Sequence, residues 1–264
     1  MSLTIETDAP WALVTGATGG LGLEFCKLLA AKGYRLVITG RDASKLALIR
    51  EEIPQAQVAL AGDLTDPVCL RNLIAHLKRD GISPEVLINN AGFGLYGDAL
   101  EPLTPESIKM VELNIKVLTT LTLQYAKAMR ENRRGYILNV ASIAAFMPCP
   151  KLGIYGASKS YVLSFSESLH EELKNDGVHV TALCPGPVMT NFWTRAGISD
   201  CQSYGFAFTD ARDVVESGLN GLYANRAVVV YGWVNKVLVF LAQIAPRFLV
   251  RMIAAKVLGG IQKR

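Results

Sequence analysis

The sequence predicts an α/β fold: a single doubly wound parallel sheet of about seven strands, with helices on both faces. Two observations predict it. Short apolar runs recur along the 264 residues, each apolar on consecutive positions, as strands covered on both faces should be. Between them lie longer stretches with apolar residues at helical spacing. Strand and helix alternate throughout, which selects right-handed parallel crossovers.

The strands fall at 11–15, 35–39, 58–61, 86–89, 136–140, 178–184 and 227–231. Helical patterns occupy 21–32, stopped by Gly33, then 44–52, 67–78, 105–132, 155–175 and 211–225. Two regions break the rhythm. The segment 187–210 is too long for a tight connection and carries Phe192, Trp193, Tyr204, Phe206 and Phe208. From Trp233 onward the chain is apolar, basic and broken by Pro246.

Half of the residues are apolar and no long Pro/Ser/Gly tract or internal repeat interrupts them, so one large domain with a substantial core is expected. The five cysteines lack metal-type spacing and do not cluster with His76, His170 or His179. A metal site is therefore not expected. The start shows no basic region followed by an apolar run, and a cytoplasmic protein with free thiols follows. From Arg226 onward there are seven Lys/Arg and no Asp or Glu, whereas the preceding part holds 20 basic and 23 acidic residues, or −3. That asymmetry argues against nucleic acid as a partner and directs attention to the tail.

Between the first strand and first helix lies Thr15-Gly16-Ala17-Thr18-Gly19-Gly20-Leu21-Gly22. In an open α/β sheet this turn faces the ligand crevice. Glycine lets backbone N–H groups approach a pyrophosphate, and a helix N-terminus favours anions. The spacing is Gly-x-x-x-Gly-x-Gly rather than the generic dinucleotide fingerprint. The second strand ends Thr39-Gly40-Arg41. An acidic side chain near here would accept from a ribose 2′-hydroxyl and repel a 2′-phosphate; Arg41 instead offers a guanidinium, which favours NADP over NAD. Asp63, beside Leu64 after the third strand, could accept from the adenine amino group. Asn89 to Gly92, including Asn90 and Ala91, could line the adenosine side, although Asp, Asn and Gly are also ordinary turn residues.

Tyr155 and Lys159 lie at i and i+4 on one helix face, thirteen residues after Ser142, which follows the fifth strand. Carbonyl reduction needs this set: a phenol to protonate the alkoxide, an ammonium that with the positive nicotinamide of the oxidised cofactor would lower its pKa, and a hydroxyl to bond the carbonyl oxygen. Singly, each residue could be a surface pair or a cap. Together, behind the glycine turn, they are much stronger.

With these motifs the chain resembles the short-chain dehydrogenase/reductases, from about residue 11 to 231. The resemblance implies a Rossmann-type fold, an NADP(H) cofactor and interconversion of a carbonyl with a secondary alcohol. It makes Ser142, Tyr155 and Lys159 the catalytic residues and gives Asn114 a water-mediated proton relay to the lysine. It assigns Gly16, Thr18, Gly19, Gly20, Leu21, Gly22, Arg41, Asp63, Leu64, Asn90, Ala91 and Gly92 to the cofactor. Pro185, Gly186, Val188 and Thr190 resemble the segment that holds the nicotinamide, and Lys159 bonds its ribose. It also implies a homodimer or homotetramer.

On this reading residues 1–232 form the catalytic domain, including a substrate loop at 187–210, and 233–264 form a basic amphipathic helical extension. The loop's aromatics suggest an apolar carbonyl substrate, although packing explains them equally; Phe146 and Cys149 carry the same two readings. The tail resembles a subgroup with ketoacyl and hydroxysteroid activities. Its helices could act as lid, subunit interface or peripheral membrane contact. The alternatives are an NADP-binding sensor or scaffold without catalysis and a membrane-surface interaction protein, with sugar-nucleotide epimerases ranked last.

Overall fold

A computed structural model describes residues 9–98, 104–190, 192–198 and 208–259. The expected loop aromatics Tyr204 and Phe206, with Cys201, Lys263 and Arg264, lie outside these. The strands are β1 (Trp11–Val14), β2 (Arg35–Gly40), β3 (Val58–Ala61), β4 (Pro84–Asn89), β5 (Gly135–Val140), β6 (Val178–Cys184) and β7 (Val228–Val230). They form one sheet in the order β3-β2-β1-β4-β5-β6-β7, and every neighbouring pair is parallel. The order reverses between β1 and β4, which opens a crevice beyond the C-terminal ends of the strands.

Consecutive apolar residues fill both faces. In β1, Ala12 and Val14 enter one core layer and Leu13 the other, all three without exposure. The first layer is covered by α1 (Gly20–Ala31), α2 (Ala43–Glu52) and α8 (Ala211–Tyr223). The second lies under α3 (Pro67–Arg79), α5 (Leu118–Glu131) and α6 (Gly153–Leu173). Emptying one such position by Leu13→Ala should cost about 2–5 kcal/mol.

The helix starts follow from local chemistry. Asp42 accepts from the Lys45 N–H at 3.0 Å, Asp66 from Val68 at 2.9 Å with Pro67 behind it, and Asp210 from Arg212 at 2.7 Å. By contrast, α1 begins after Gly19 with no side-chain cap. Its first-turn N–H groups remain free for an anion.

One expected helix proves to be three segments. The pattern at 105–132 resolves into α4 (Pro105–Val111), a π-helical stretch Glu112–Val117, and α5. Such wide turns gather at functional sites, and this one carries Asn114. The loop after β6 contains a short helix, α7 (Phe192–Arg195), that periodicity did not foretell. The tail forms α9 (Trp233–Ile244) and α10 (Arg247–Gly259), parted at Pro246 as expected. Among the described residues no helix is long and apolar enough to cross a membrane, and no His/Cys/Asp/Glu group could hold a metal.

Candidate active site

Beyond the strand ends lies a cleft of about 550 Å³. Its floor begins at the glycine turn. Gly16 adopts φ +66°, and a Cβ there would meet the Ala91 Cα at 2.9 Å, so only glycine fits. The turn is pinned to β4 by Asn90, whose Nδ2 donates to the carbonyls of Thr15 at 2.9 Å and Gly16 at 3.0 Å. The Thr15 hydroxyl in turn accepts from the Asn90 and Ala91 N–H groups. Gly16, Thr18, Gly19, Gly20 and Leu21 line the cleft. Gly22 does not: it lies under the turn, where a Cβ would stand 2.2 Å from the Gly16 carbonyl oxygen, and its part is close packing.

Thr39, Gly40 and Arg41 continue the wall at the end of β2. A Cβ at Gly40 would sit 3.0 Å from the Thr18 methyl, a tight contact that disfavours a larger side chain there. Asp42 is turned away to cap α2, and Arg41 has no ion-pair partner among the described residues. Asp63 and Leu64 line the same end. Burial works against the Asp63 carboxylate, but hydrogen bonds from the Thr65 hydroxyl at 2.8 Å and Thr65 N–H at 3.0 Å outweigh it and hold the pKa below the usual range.

The lysine and tyrosine enter from α6 and the serine from the end of β5, where Ser142 caps a 3₁₀ turn by accepting from the Ala144 N–H at 3.1 Å. All three line the cleft. Lys159 Nζ donates to the Val140 carbonyl at 2.7 Å and stands 5.8 Å from the centre of the Tyr155 ring. Burial, with no carboxylate to offset it, brings the ammonium down to about 8. The phenol's surroundings in the protein alone act in both directions. Burial pushes Tyr155 up to about 12, outweighing the hydrogen bond with the Ser142 hydroxyl that pulls it down. An ammonium one turn away does not by itself yield a low-pKa tyrosine in the protein alone.

Asn114 lies wholly buried behind the lysine rather than on the cleft lining. Its Nδ2 donates to the Phe93 carbonyl at 3.0 Å and the Ser158 hydroxyl at 3.1 Å, and its Oδ1 accepts from the Phe93 N–H at 3.2 Å. A Cβ at Gly92 would meet Asn114 Oδ1 at 3.0 Å and Lys159 Nζ at 3.4 Å, so this glycine keeps both polar groups within reach of one small space. Asn89, grouped with the cofactor segment in sequence, points into the core, donating to Thr122 at 2.9 Å and Asn139 at 2.8 Å.

Pro185, Gly186, Val188 and Thr190 line the cleft as expected. The far end is apolar. Tyr155 packs with Tyr96, Met110, Cys149, Leu152, Phe192 and Trp193. Cys149 lines the cleft, its thiol raised to about 11 by burial, and is therefore inert; Phe146 packs in a separate core cluster. Arg195 escaped the sequence reading, and the tail entered it only with a lid as one of three possible roles. Arg195, on α7, lines the cleft; its guanidinium lies 6.0 Å from the Phe93 ring centre, and burial and the charge of Arg41 both lower its pKa. The tail supplies Leu238, Leu241, Val250, Ala254 and Leu258 as a wall, tied in by the Tyr96 hydroxyl bonding the Leu258 carbonyl at 2.7 Å. No motif marks either group, because each works by position alone.

The chain is similar to known proteins over most of its length. The model of the family described as short chain dehydrogenase matches residues 10–198. The NADP-dependent 3-hydroxy acid dehydrogenase of Salmonella typhi is 32% identical over 180 residues, which cover 67% of this chain and 71% of that protein. A short-chain dehydrogenase from Sphingobium yanoikuyae, solved in complex with NADPH, superposes with a TM-score of 0.78 at 29% identity, covering 96% of both chains. The bulky-bulky ketone specific alcohol dehydrogenase from Comamonas testosteroni gives 0.75 at 26% identity, covering 97% of this chain and 96% of its own.

Proposed function

Because this chain belongs to the short-chain dehydrogenase family, we propose that it is an NADP(H)-dependent oxidoreductase that interconverts an apolar ketone and its secondary alcohol. The observation that carries the reading is the convergence of Ser142, Tyr155 and Lys159 with the glycine turn in one cleft. The residues fit a dinucleotide with a 2′-phosphate. The uncapped start of α1 receives the pyrophosphate, Arg41 takes the 2′-phosphate where tight packing at Gly40 disfavours an acid, and Arg195 faces the same anionic groups from α7. Bound NADP(H) supplies or accepts the hydride.

The chain's own residues handle the proton. In reduction, the Tyr155 hydroxyl protonates the substrate oxygen as negative charge develops there, and Ser142 donates a second hydrogen bond to that oxygen. The phenolate left behind is stabilised by Lys159, which the Val140 carbonyl holds in place. Asn114 acts through Lys159, fixing the Phe93 backbone and Ser158 beside it.

Substrates named for the two relatives differ, a hydroxy acid and a bulky ketone. The lining of the cleft supports the second. Its far wall offers Cys149, Leu152, Phe192 and Trp193, so a hydrocarbon body is favoured over a small carboxylate. The test is NADPH oxidation across long-chain β-ketoacyl esters, steroid ketones, aryl ketones and small keto acids. Turnover of bulky apolar ketones is expected. Turnover confined to small keto acids would overturn the substrate class, and none at all despite tight NADPH binding would overturn catalysis.

A further inference from the structure

The helices α9 and α10 wall the cleft and also carry the largest array of exposed apolar side chains among the described residues. Trp233 is 76% exposed, and Phe240, Ile244, Phe248 and Met252 are all exposed by more than half. Leu238, Leu241, Ile253 and Val257 are exposed and line the cleft as well, so the apolar surface runs without a break from the outer face to the mouth. Among these residues stand Lys236, Arg247, Arg251 and Lys256, all exposed, none in an ion pair with a described acid, and neither helix contains Asp or Glu.

An apolar patch of this extent marks a contact surface. Its charge selects the occupant. A second copy using the same face would gather the four cations of each copy into one interface, with no acid in either helix to offset them. An anionic lipid surface satisfies both features, since headgroups meet the cations and acyl chains take Phe, Trp and Ile. At 12 and 13 residues the helices are too short to span a bilayer, so they lie in the interface.

We propose that α9 and α10 seat the protein on an anionic bilayer with the cleft mouth at the lipid surface, so that an apolar substrate enters from the membrane rather than from water. The docking stands on its own; the entry route rests on the substrate reading above.

The test is co-sedimentation of the full chain with phosphatidylcholine vesicles, with and without phosphatidylserine, alongside turnover of a water-soluble ketone. Binding should need the anionic lipid and weaken with salt. Arg247→Gln/Arg251→Gln should lower the partition coefficient about 25-fold, at about 5-fold per charge. Ile244→Ser/Phe248→Ser should abolish binding while soluble-ketone turnover stays within about twofold, since neither pair lines the cleft. Absence of vesicle binding, or equal binding to both lipid compositions, overturns the proposal. A dimer in light scattering that Ile244→Ser/Phe248→Ser dissociates, without vesicle binding, would make a second copy the occupant. Failed binding with ketone turnover removes the docking and leaves the reaction; binding without turnover of any ketone does the reverse.

Discussion

The ammonium of Lys159 stands 5.8 Å from the centre of the Tyr155 ring and is held there by the Val140 carbonyl, not by a carboxylate. A carboxylate would neutralise the charge that the phenolate needs. A backbone carbonyl fixes the position and leaves the charge intact. The predictions start from this pairing.

Tyr155→Phe keeps the ring packing against Phe192 and removes only the hydroxyl. Turnover should fall at least about a hundredfold, the usual range for losing a general acid, with NADPH affinity within about threefold. Steady-state rates and a fluorescence titration of NADPH check it. A variant retaining a tenth of the wild-type rate would assign the proton to another group.

Arg41→Ala should erode selectivity for NADP over NAD by about ten- to a hundredfold, the worth of a charge-assisted hydrogen bond. Arg195→Ala, acting from α7, should weaken NADPH binding as well, by a smaller factor. The measurement is kcat/KM for both cofactors. An unchanged NADP/NAD ratio in Arg41→Ala would show that the guanidinium is merely solvated.

Burial of Lys159 makes stability depend on pH. Its folded value of about 8 lies below the ordinary 10.5. Below pH 8 both states carry the proton and the cost of burying the charge is complete. Between these values the unfolded chain holds more protons, so stability rises with pH, by roughly 3 kcal/mol in all. Tyr155 acts in the opposite sense, because at about 12 against 10 the folded state holds more protons and stability falls above pH 10. Wild type should therefore gain on Lys159→Met between pH 8 and 10. Urea denaturation of both proteins across that range tests it, and parallel curves would mean that the lysine is not buried as an ammonium.

Asn114→Leu removes an amide that satisfies the Phe93 N–H, the Phe93 carbonyl and the Ser158 hydroxyl. Stranding these buried groups should cost about 2–4 kcal/mol and lower kcat more than it raises KM. A thermal melt and steady-state kinetics check both parts. A stable variant with normal kcat would remove Asn114 from the positioning of Lys159.

Much of this was legible in the sequence. The seven strands, the glycine turn and the serine–tyrosine–lysine set are local patterns, and each lies where its pattern put it. The π-helical stretch was not legible for a physical reason. Met110, Asn114, Val117 and Leu121 fit the period of an unbroken α-helix, so no irregularity shows in the pattern. In the fold, Met110 packs with Tyr155, whereas Val117 and Leu121 pack against the sheet. The burial of the Tyr155 hydroxyl was not legible either, because charge proximity can be read from spacing, whereas desolvation depends on the whole fold. Arg195 and the wall from α9 and α10 reach the cleft through tertiary packing, which no short motif encodes.

The order in which the cleft's parts follow one another along the chain has its own consequence. Most of the dinucleotide end comes from residues up to 92, the proton-handling groups from 142 to 159, the segment 185–190 after them, and the hydrocarbon wall mostly from beyond 192. A ribosome releases them in that sequence, so the reaction machinery is encoded before the surface that selects what reacts. Changes confined to α7, α9 and α10 leave the sheet and the glycine turn untouched. Selection can re-cut the substrate end of this protein independently of the chemistry it serves.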